Sequence, residues 1–435
     1  MKLICTIDTP EARRLAQLQT GTPVLLYYPK RAGVGSVGNP IRLDLRRWPD
    51  KVTQEALDLL SVALAVTAGD RLVRRDLTAD KWTRDIDLVI PVSNPERWNG
   101  IVPALLELLG FLTGDRWTLH FVNGGMTVHQ LYDRRREWRR PARATGNCVC
   151  LFSGGMDSFL GAAELVHKNK QPILVSHYQP GEQRLQGDLR ETLGIRSANH
   201  FATNPHPVAV KDKLDTQQRA RSFLFVALAA AIGSASIQLN HENDRFDLFI
   251  PENGYIALNA PLSPARSSSC STRTVHPRTI SWMQTILEQA GVPAHLINPY
   301  AEETKGQIAA RVVSAVPAIA AKLSDTISCG AYRRNKYKQC GYCIPCLIRR
   351  AAFLAAHQDD GTDYKVTSPA AAWRANPKWE QAEHLAAVEV ALADEEAVLR
   401  RLRLTFKGVP LDQWPRLEDV HTKGLHEVAR VIQTL

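Results

Sequence analysis

The sequence predicts an α/β protein: a doubly wound parallel sheet, with a mixed α/β region before it and a helical extension after it. Three observations predict this. From Asn147 to residue 357, short apolar runs alternate with helical segments, the pattern of parallel strands joined by crossover helices. Inside that span, Cys148-Val149-Cys150-Leu151-Phe152 runs straight into the small-residue turn Ser153-Gly154-Gly155-Met156-Asp157-Ser158, and Phe159 to His167 then reads as a helix. After Asp359-Asp360-Gly361 the chain turns Ala-, Glu- and Arg-rich, and Trp379 to Arg403 has helical periodicity. These shifts divide the chain into 1–145, 146–357 and 358–435.

In the first region, Pro23 to Tyr28, Asp85 to Pro91 and Trp117 to Val122 read as strands, and Glu55 to Val66 and Trp98 to Leu112 as helices. No internal repeat is visible. The literal GxGxxG at Gly33 to Gly38 lacks the helix that a dinucleotide site needs, because Asn39-Pro40 and an alternating Ile41 to Arg46 follow it. It reads as a glycine-rich hairpin loop. The basic run Arg134 to Arg140 reads as a solvated linker.

No apolar run reaches the ~18 residues of a membrane span; the nearest, Phe223 to Ile232, reads as a buried helix. The N-terminal segment has no long apolar stretch and meets Asp8 early, so the expected compartment is the cytoplasm. The net charge of +10 suits a polyanionic substrate or partner such as ATP or nucleic acid.

A strand, a glycine turn and a helix place backbone N–H groups and a helix N-terminus at the strand's carboxyl end, which is a ready anion site. Gly154 and Gly155 allow close approach to phosphate oxygens, and Ser153 and Ser158 add hydroxyl donors. Asp157 has a place in a phosphate site only beside Mg²⁺ or as an orienter of the loop. No Gly-Lys-Ser/Thr follows, so this is not a Walker A loop.

Of the 8 cysteines, Cys329, Cys340, Cys343 and Cys346 crowd together. Clustering in a cytoplasmic chain argues for metal over disulfides. Four thiolates suit a closed, structural tetrahedral zinc site; an iron–sulfur cluster also takes four. The Cys-x₂-Cys steps favour zinc. Arg349 and Arg350, on a predicted helix behind the cluster, either neutralise charge or lie in solvent.

Ser-Gly-Gly-Met-Asp-Ser resembles the PP-loop of the N-type ATP pyrophosphatases, whose fold is the HUP-like variant of the doubly wound sheet. With Cys329 and Cys340-Gly341-Tyr342-Cys343-Ile344-Pro345-Cys346 downstream, residues 147–357 resemble the QueC family, the 7-cyano-7-deazaguanine synthases. Arg221-Ser222-Phe223-Leu224, Thr304-Lys305-Gly306-Gln307-Ile308 and Ser328-Cys329 resemble further family segments. Other stretches depart from the housekeeping pattern: His177 to Arg184, Pro251 to Gly254, Asn259 to Ser263 and Ser271 to Pro277. The last three are similar to the diverged QueC-like proteins of bacterial phage-defence cassettes, above all the Qat system.

The resemblance implies an ATP-dependent ligase that adenylates a deazaguanine carboxylate, releases AMP and pyrophosphate, and passes the acyl group to an amine. That amine is ammonia in the housekeeping enzyme and, in a defence cassette, a group on a partner protein. It implies ATP binding by Ser153, Gly154, Gly155, Met156, Asp157, Ser158 and Arg221, with Mg²⁺ shared by Asp157 and the phosphates. Asp157, Ser158 and Lys305 carry the chemistry. Glu252 and Asn253, at a strand's carboxyl end, and the polar loop Thr272, Arg273, His276 are the substrate candidates. Cys329, Cys340, Cys343 and Cys346 hold zinc. A tRNA-thiolating reaction and an ATP-binding scaffold without turnover are the rival readings.

Overall fold

The computed structural model describes residues 1–18, 23–27, 35–38, 41, 52–132, 143–178, 181–208, 214–241, 244–264, 270, 273–376 and 380–434. It contains two parallel sheets. The first holds β1 (Lys2–Thr6), β2 (Val24–Tyr27), β3 (Ser36–Val37), β4 (Asp85–Val92) and β5 (Arg116–Asn123). The second holds β6 (Cys148–Leu151), β7 (Pro172–His177), β8 (His200–Thr203), β9 (Phe246–Phe249) and β10 (Ala294–Ile297). Their strand orders are β3-β2-β1-β4-β5 and β10-β9-β6-β7-β8. Counted from the first strand of each sheet, the two orders are the same.

The first region, an α/β unit as expected, thus carries a second all-parallel sheet, and its strand β1 was not foreseen. The glycine-rich hairpin is corrected. Ser36 and Val37 form β3, which runs parallel to β2 with Leu26 opposite Ser36. A hairpin would have made the two strands antiparallel. Residues 28–34 and 42–46 of that reading, and the basic run 134–140, lie outside the described residues.

Central strands are covered on both faces, which is why β6 and β7 are buried along their whole length. Edge strand β5 instead alternates between buried and exposed. The helix Gln54–Leu72 is buried continuously from Ala56 to Asp70, because it lies between the first sheet and the helix Arg221–Ser236. The helix Pro95–Thr113 packs likewise on Pro277–Ala290. One apolar core thus runs from Leu3 through both sheets to Leu296.

A buried ionic knot fastens the two halves. Arg84 is fully buried; it bonds Asp70 Oδ1 at 2.5 Å and Asp115 Oδ2 at 2.7 Å. Asp70 Oδ2 in turn accepts the N–H of Ala220 at 3.0 Å, the residue just before the helix that begins with Arg221. Charges this deep persist only when paired and hydrogen-bonded. At the other end of the chain, the expected helix from Trp379 to Arg403 is two helices, Glu383–Ala393 and Glu395–Arg403, broken where the Asp394 side chain caps the second. The last helix, Trp414–Thr434, packs on Ile344–Ala355 and Gly254–Ala257. No helix among the described residues is long and apolar enough to cross a membrane.

Candidate functional site

In a doubly wound sheet, ligands bind beyond the carboxyl ends of the strands where the strand order reverses. In the second sheet that point lies between β6 and β9, which pair with Val149 opposite Leu248. The Ser153–Ser158 loop leaves β6 there, and Glu252 and Asn253 leave β9.

The loop is held by its own hydroxyls and by two neighbouring segments. Gly155 N–H donates to Ser153 Oγ at 3.2 Å, and Ser158 Oγ donates to the Gly155 carbonyl at 2.9 Å. Gln186 Nε2 donates to the Ser153 carbonyl at 3.0 Å, and Ile327 N–H to the Gly154 carbonyl at 3.0 Å. Gly154 has φ +83°, a left-handed conformation that favours glycine. A Cβ on Gly155 would lie 3.1 Å from the Ile327 carbonyl oxygen. The helix begins at Met156, earlier than the sequence pattern gave, so Asp157 and Ser158 stand in its first turn with free amide donors around them.

Asp157 is the centre of the site. Its Oδ2 accepts Asn253 Nδ2 at 2.8 Å and faces Lys305 Nζ at 3.4 Å. Its Oδ1 is buried without a hydrogen-bond partner among the described residues. Asn253 is fully buried and works twice, since its Oδ1 also caps the helix Gly254–Ala257. Lys305 is buried, not solvated. It opens the helix Lys305–Ala315, which Thr304 and Gln307 start with a reciprocal capping box. Thr304 Oγ1 donates to Glu427 of the last helix, so the C-terminal extension braces the lysine.

Glu252 lies half-buried on the floor of this cleft. Burial, then the charge of Asp157, pushes its carboxyl up to about 8, against the pull of Lys305. Its backbone is fixed by Asn298, which exchanges two hydrogen bonds with it, at 3.3 and 2.9 Å. An unpartnered carboxylate oxygen beside a second carboxyl is a hard-oxygen donor set that suits Mg²⁺.

The four expected metal-ligating cysteines come together. The Sγ atoms of Cys329, Cys340, Cys343 and Cys346 all lie within 4.8 Å of one another. Cys340 and Cys346 are 3.7 Å apart, close to the roughly 3.8 Å edge of a tetrahedron with ~2.3 Å metal–sulfur bonds. Backbone N–H groups of Ala331, Cys340 and Cys343 point at these sulfurs at 3.3–3.4 Å. The geometry fits a metal such as zinc. Gly341 takes φ +89° inside the knuckle, where a Cβ would meet the Val366 carbonyl oxygen at 2.2 Å. Of the two arginines behind the cluster, neither is solvated, and Arg349 feels the charge of Cys346. Arg349 is fully buried and donates to Leu323 and Ser324 carbonyls at 2.8 and 3.0 Å, while Arg350 stacks on the Tyr364 ring at 3.7 Å. Arg349 and Gln339 thereby shape the segment 323–329, and its Ile327 reaches the phosphate loop. The metal knuckle is a brace for the loop.

Of the remaining expected site residues, Arg221, Arg273 and His276 make their described bonds away from the loop. Arg221 donates to His177 Nδ1 at 2.9 Å and to the His177 carbonyl, with no described bond to the phosphate loop. Arg273 donates to the Phe111 carbonyl at 2.7 Å and lies over that ring. His276 caps the helix Pro277–Ala290 and bonds Thr405 at 3.1 Å. Thr272 lies outside the described residues. Sequence reasoning missed Gln186, Asn298 and Glu427. Each supports the site from a separate element, and none carries a local signal.

No family model, curated protein or solved structure matches this chain.

Proposed function

We propose that this protein is an ATP-dependent ligase that activates a carboxylate by adenylation. The observation that carries the reading is the meeting of Asp157, Asn253 and Lys305 at a glycine loop on the reversal point of the second sheet. In this reading the loop amides and the Ser153 and Ser158 hydroxyls hold the ATP phosphates. Mg²⁺, held by Asp157 and Glu252, would supply charge neutralisation at those phosphates. A carboxylate oxygen attacks the α-phosphorus, the bond to the β-phosphate oxygen breaks, and pyrophosphate leaves toward the Lys305 ammonium. Groups aimed at that developing charge lower the barrier most. An amine then forms a C–N bond to the acyl carbon, AMP departs with the C–O electron pair, and the amine's proton passes to solvent.

Cys148 and Cys150 argue against a thiolation reaction. Both are buried in β6, and burial pushes Cys148 up to about 12 and Cys150 well above its ordinary value. A catalytic thiol needs the opposite.

By the resemblance of its motifs, the carboxylate is that of 7-carboxy-7-deazaguanine, and the acceptor is an amine on a partner protein of a phage-defence cassette. The test is incubation with Mg²⁺-ATP and that carboxylate, with and without ammonium, followed by mass spectrometry. Carboxylate-dependent AMP without nitrile supports the ligase. Nitrile formed with ammonium makes it a 7-cyano-7-deazaguanine synthase. No AMP removes the deazaguanine assignment, and an ATP-binding scaffold would then remain.

A further inference from the structure

The carboxyl ends of β7 and β8 lie beside the phosphate-loop strand and carry a second cluster that the adenylation chemistry does not use. His177 ends β7 and is 1% exposed. Arg221 donates to its Nδ1, so the proton of the neutral ring sits on Nε2. That Nε2 has no partner among the described residues. The His206 ring stands edge-on to His177 at 5.9 Å. Burial, then the charges of Arg71, Arg221 and Arg333, hold His206 down to about 4. Three guanidinium groups therefore face one ring from three segments. Arg71 comes from the end of the helix Gln54–Leu72, Arg221 from the start of Arg221–Ser236, and Arg333 from the metal knuckle.

More polar atoms belong to this region that have no partner among the described residues: Thr203 Oγ1, Ser222 Oγ and Arg71 Nε, and also Asn204 Oδ1, whose amide can present its nitrogen by a half-turn. Of the acids that act on these arginines, Asp70 is bonded to Arg84 and Ala220, Asp215 accepts the amides of Arg75 and Gln217, and Glu182 acts on Arg221. Hydroxyl, imidazole N–H and guanidinium donors at the carboxyl ends of β7 and β8 match the oxygens of phosphate or carboxylate, which guanidinium groups bind with paired hydrogen bonds. The depth of His177 and Thr203 restricts the occupant to a small group.

We infer that this cluster is an oxyanion site separate from the Ser153–Ser158 loop, taking the phosphate or carboxylate end of a small ligand, and that the N-terminal half completes it with Arg71. The inference does not depend on turnover, so it stands or falls apart from the adenylation reading.

The test is thermal melting and calorimetric titration of the full chain with inorganic phosphate and with acetate, at fixed ionic strength. Arg71→Ala and His206→Gln are compared with Ser153→Ala, which marks binding at the phosphate loop. The expected result is a saturable rise in melting temperature with at least one anion. Its midpoint moves at least tenfold in Arg71→Ala and His206→Gln but not in Ser153→Ala. Whether phosphate or acetate gives the rise identifies the ligand's end group. No saturable rise with either anion, or a midpoint that moves only in Ser153→Ala, overturns the inference. If Arg71→Ala does not fold, His206→Gln decides alone.

Discussion

Replacing Asp157 by alanine separates the electrostatics of the site from its packing. Lys305 Nζ lies 3.4 Å from Asp157 Oδ2, and both side chains are buried. At an effective dielectric constant near 20, two unit charges at that distance attract by about 5 kcal/mol. Breaking such a buried pair usually costs about 3–5 kcal/mol. Here Glu252 reduces the loss. Its carboxyl is held up to about 8 by burial and by Asp157, so removing Asp157 lets Glu252 ionise and serve as the new counter-ion of Lys305. The expected net loss is about 2–3 kcal/mol, which at roughly 2.1 cal/mol/K per residue lowers the melting temperature of a 435-residue chain by about 2–3 °C. Asp157→Asn keeps an acceptor for Asn253 Nδ2 and should lose less. Both variants should lose at least about 100-fold in AMP release, since the transition-state charge loses its partner. Melting and turnover are measured on the same preparations. A wild-type melting temperature together with wild-type turnover in Asp157→Ala would refute the reasoning. A higher melting temperature would mean that repulsion between Asp157 and Glu252 outweighs the attraction to Lys305.

Three further outcomes follow from the same geometry. Gly155→Ala places a Cβ 3.1 Å from the Ile327 carbonyl oxygen and should weaken ATP binding about tenfold by titration, whereas Gly187→Ala, with nothing within 4 Å, should leave it unchanged and gain about 0.5–1 kcal/mol in the helix Gln183–Thr192. Cys343→Ser should abolish metal content measured by mass spectrometry and also weaken ATP binding, because Ile327 on the braced segment holds the Gly154 carbonyl; unchanged ATP binding in a metal-free, folded variant would break that link. The raised Glu252 carboxyl fixes a pH effect: without Mg²⁺, its contribution is fully favourable below the ordinary value of 4.5, declines as the unfolded chain ionises between 4.5 and about 8, and is level above. Glu252→Gln should remove that decline in thermal melts from pH 5 to 9, and in the wild type Mg²⁺-ATP affinity should rise as pH passes about 8.

The glycine turn after β6 and the cysteine knuckle were legible because each is local. A strand, a turn and a helix read in succession, and two Cys-x₂-Cys steps bring sulfurs together within a short length of chain. The three-way contact of Asp157, Asn253 and Lys305 was not legible, because only the crossover from β6 to β9 brings those segments together. In the first sheet β3 was not legible, because it is only two residues long and lies in a glycine-rich segment. The shared strand order of the two sheets left no repeat in the sequence, since topology needs only short apolar runs and not particular residues. Arg84, Asp70 and Asp115 look like surface charges in the sequence and became a buried knot only through the joining of the two halves. Arg273 and His276 were drawn toward the site by their chemistry, but the structure engages them with Phe111 and Thr405.

The central claim is that the site activates a carboxylate through the α-phosphate of ATP. Exchange of labelled pyrophosphate into ATP tests it most directly, because it reports the reversible adenylation step without needing the acceptor amine. The account predicts exchange that requires both Mg²⁺ and 7-carboxy-7-deazaguanine and that falls at least about 100-fold in Asp157→Asn. Release of ADP and phosphate with no pyrophosphate exchange, in a folded protein that binds ATP, would contradict it.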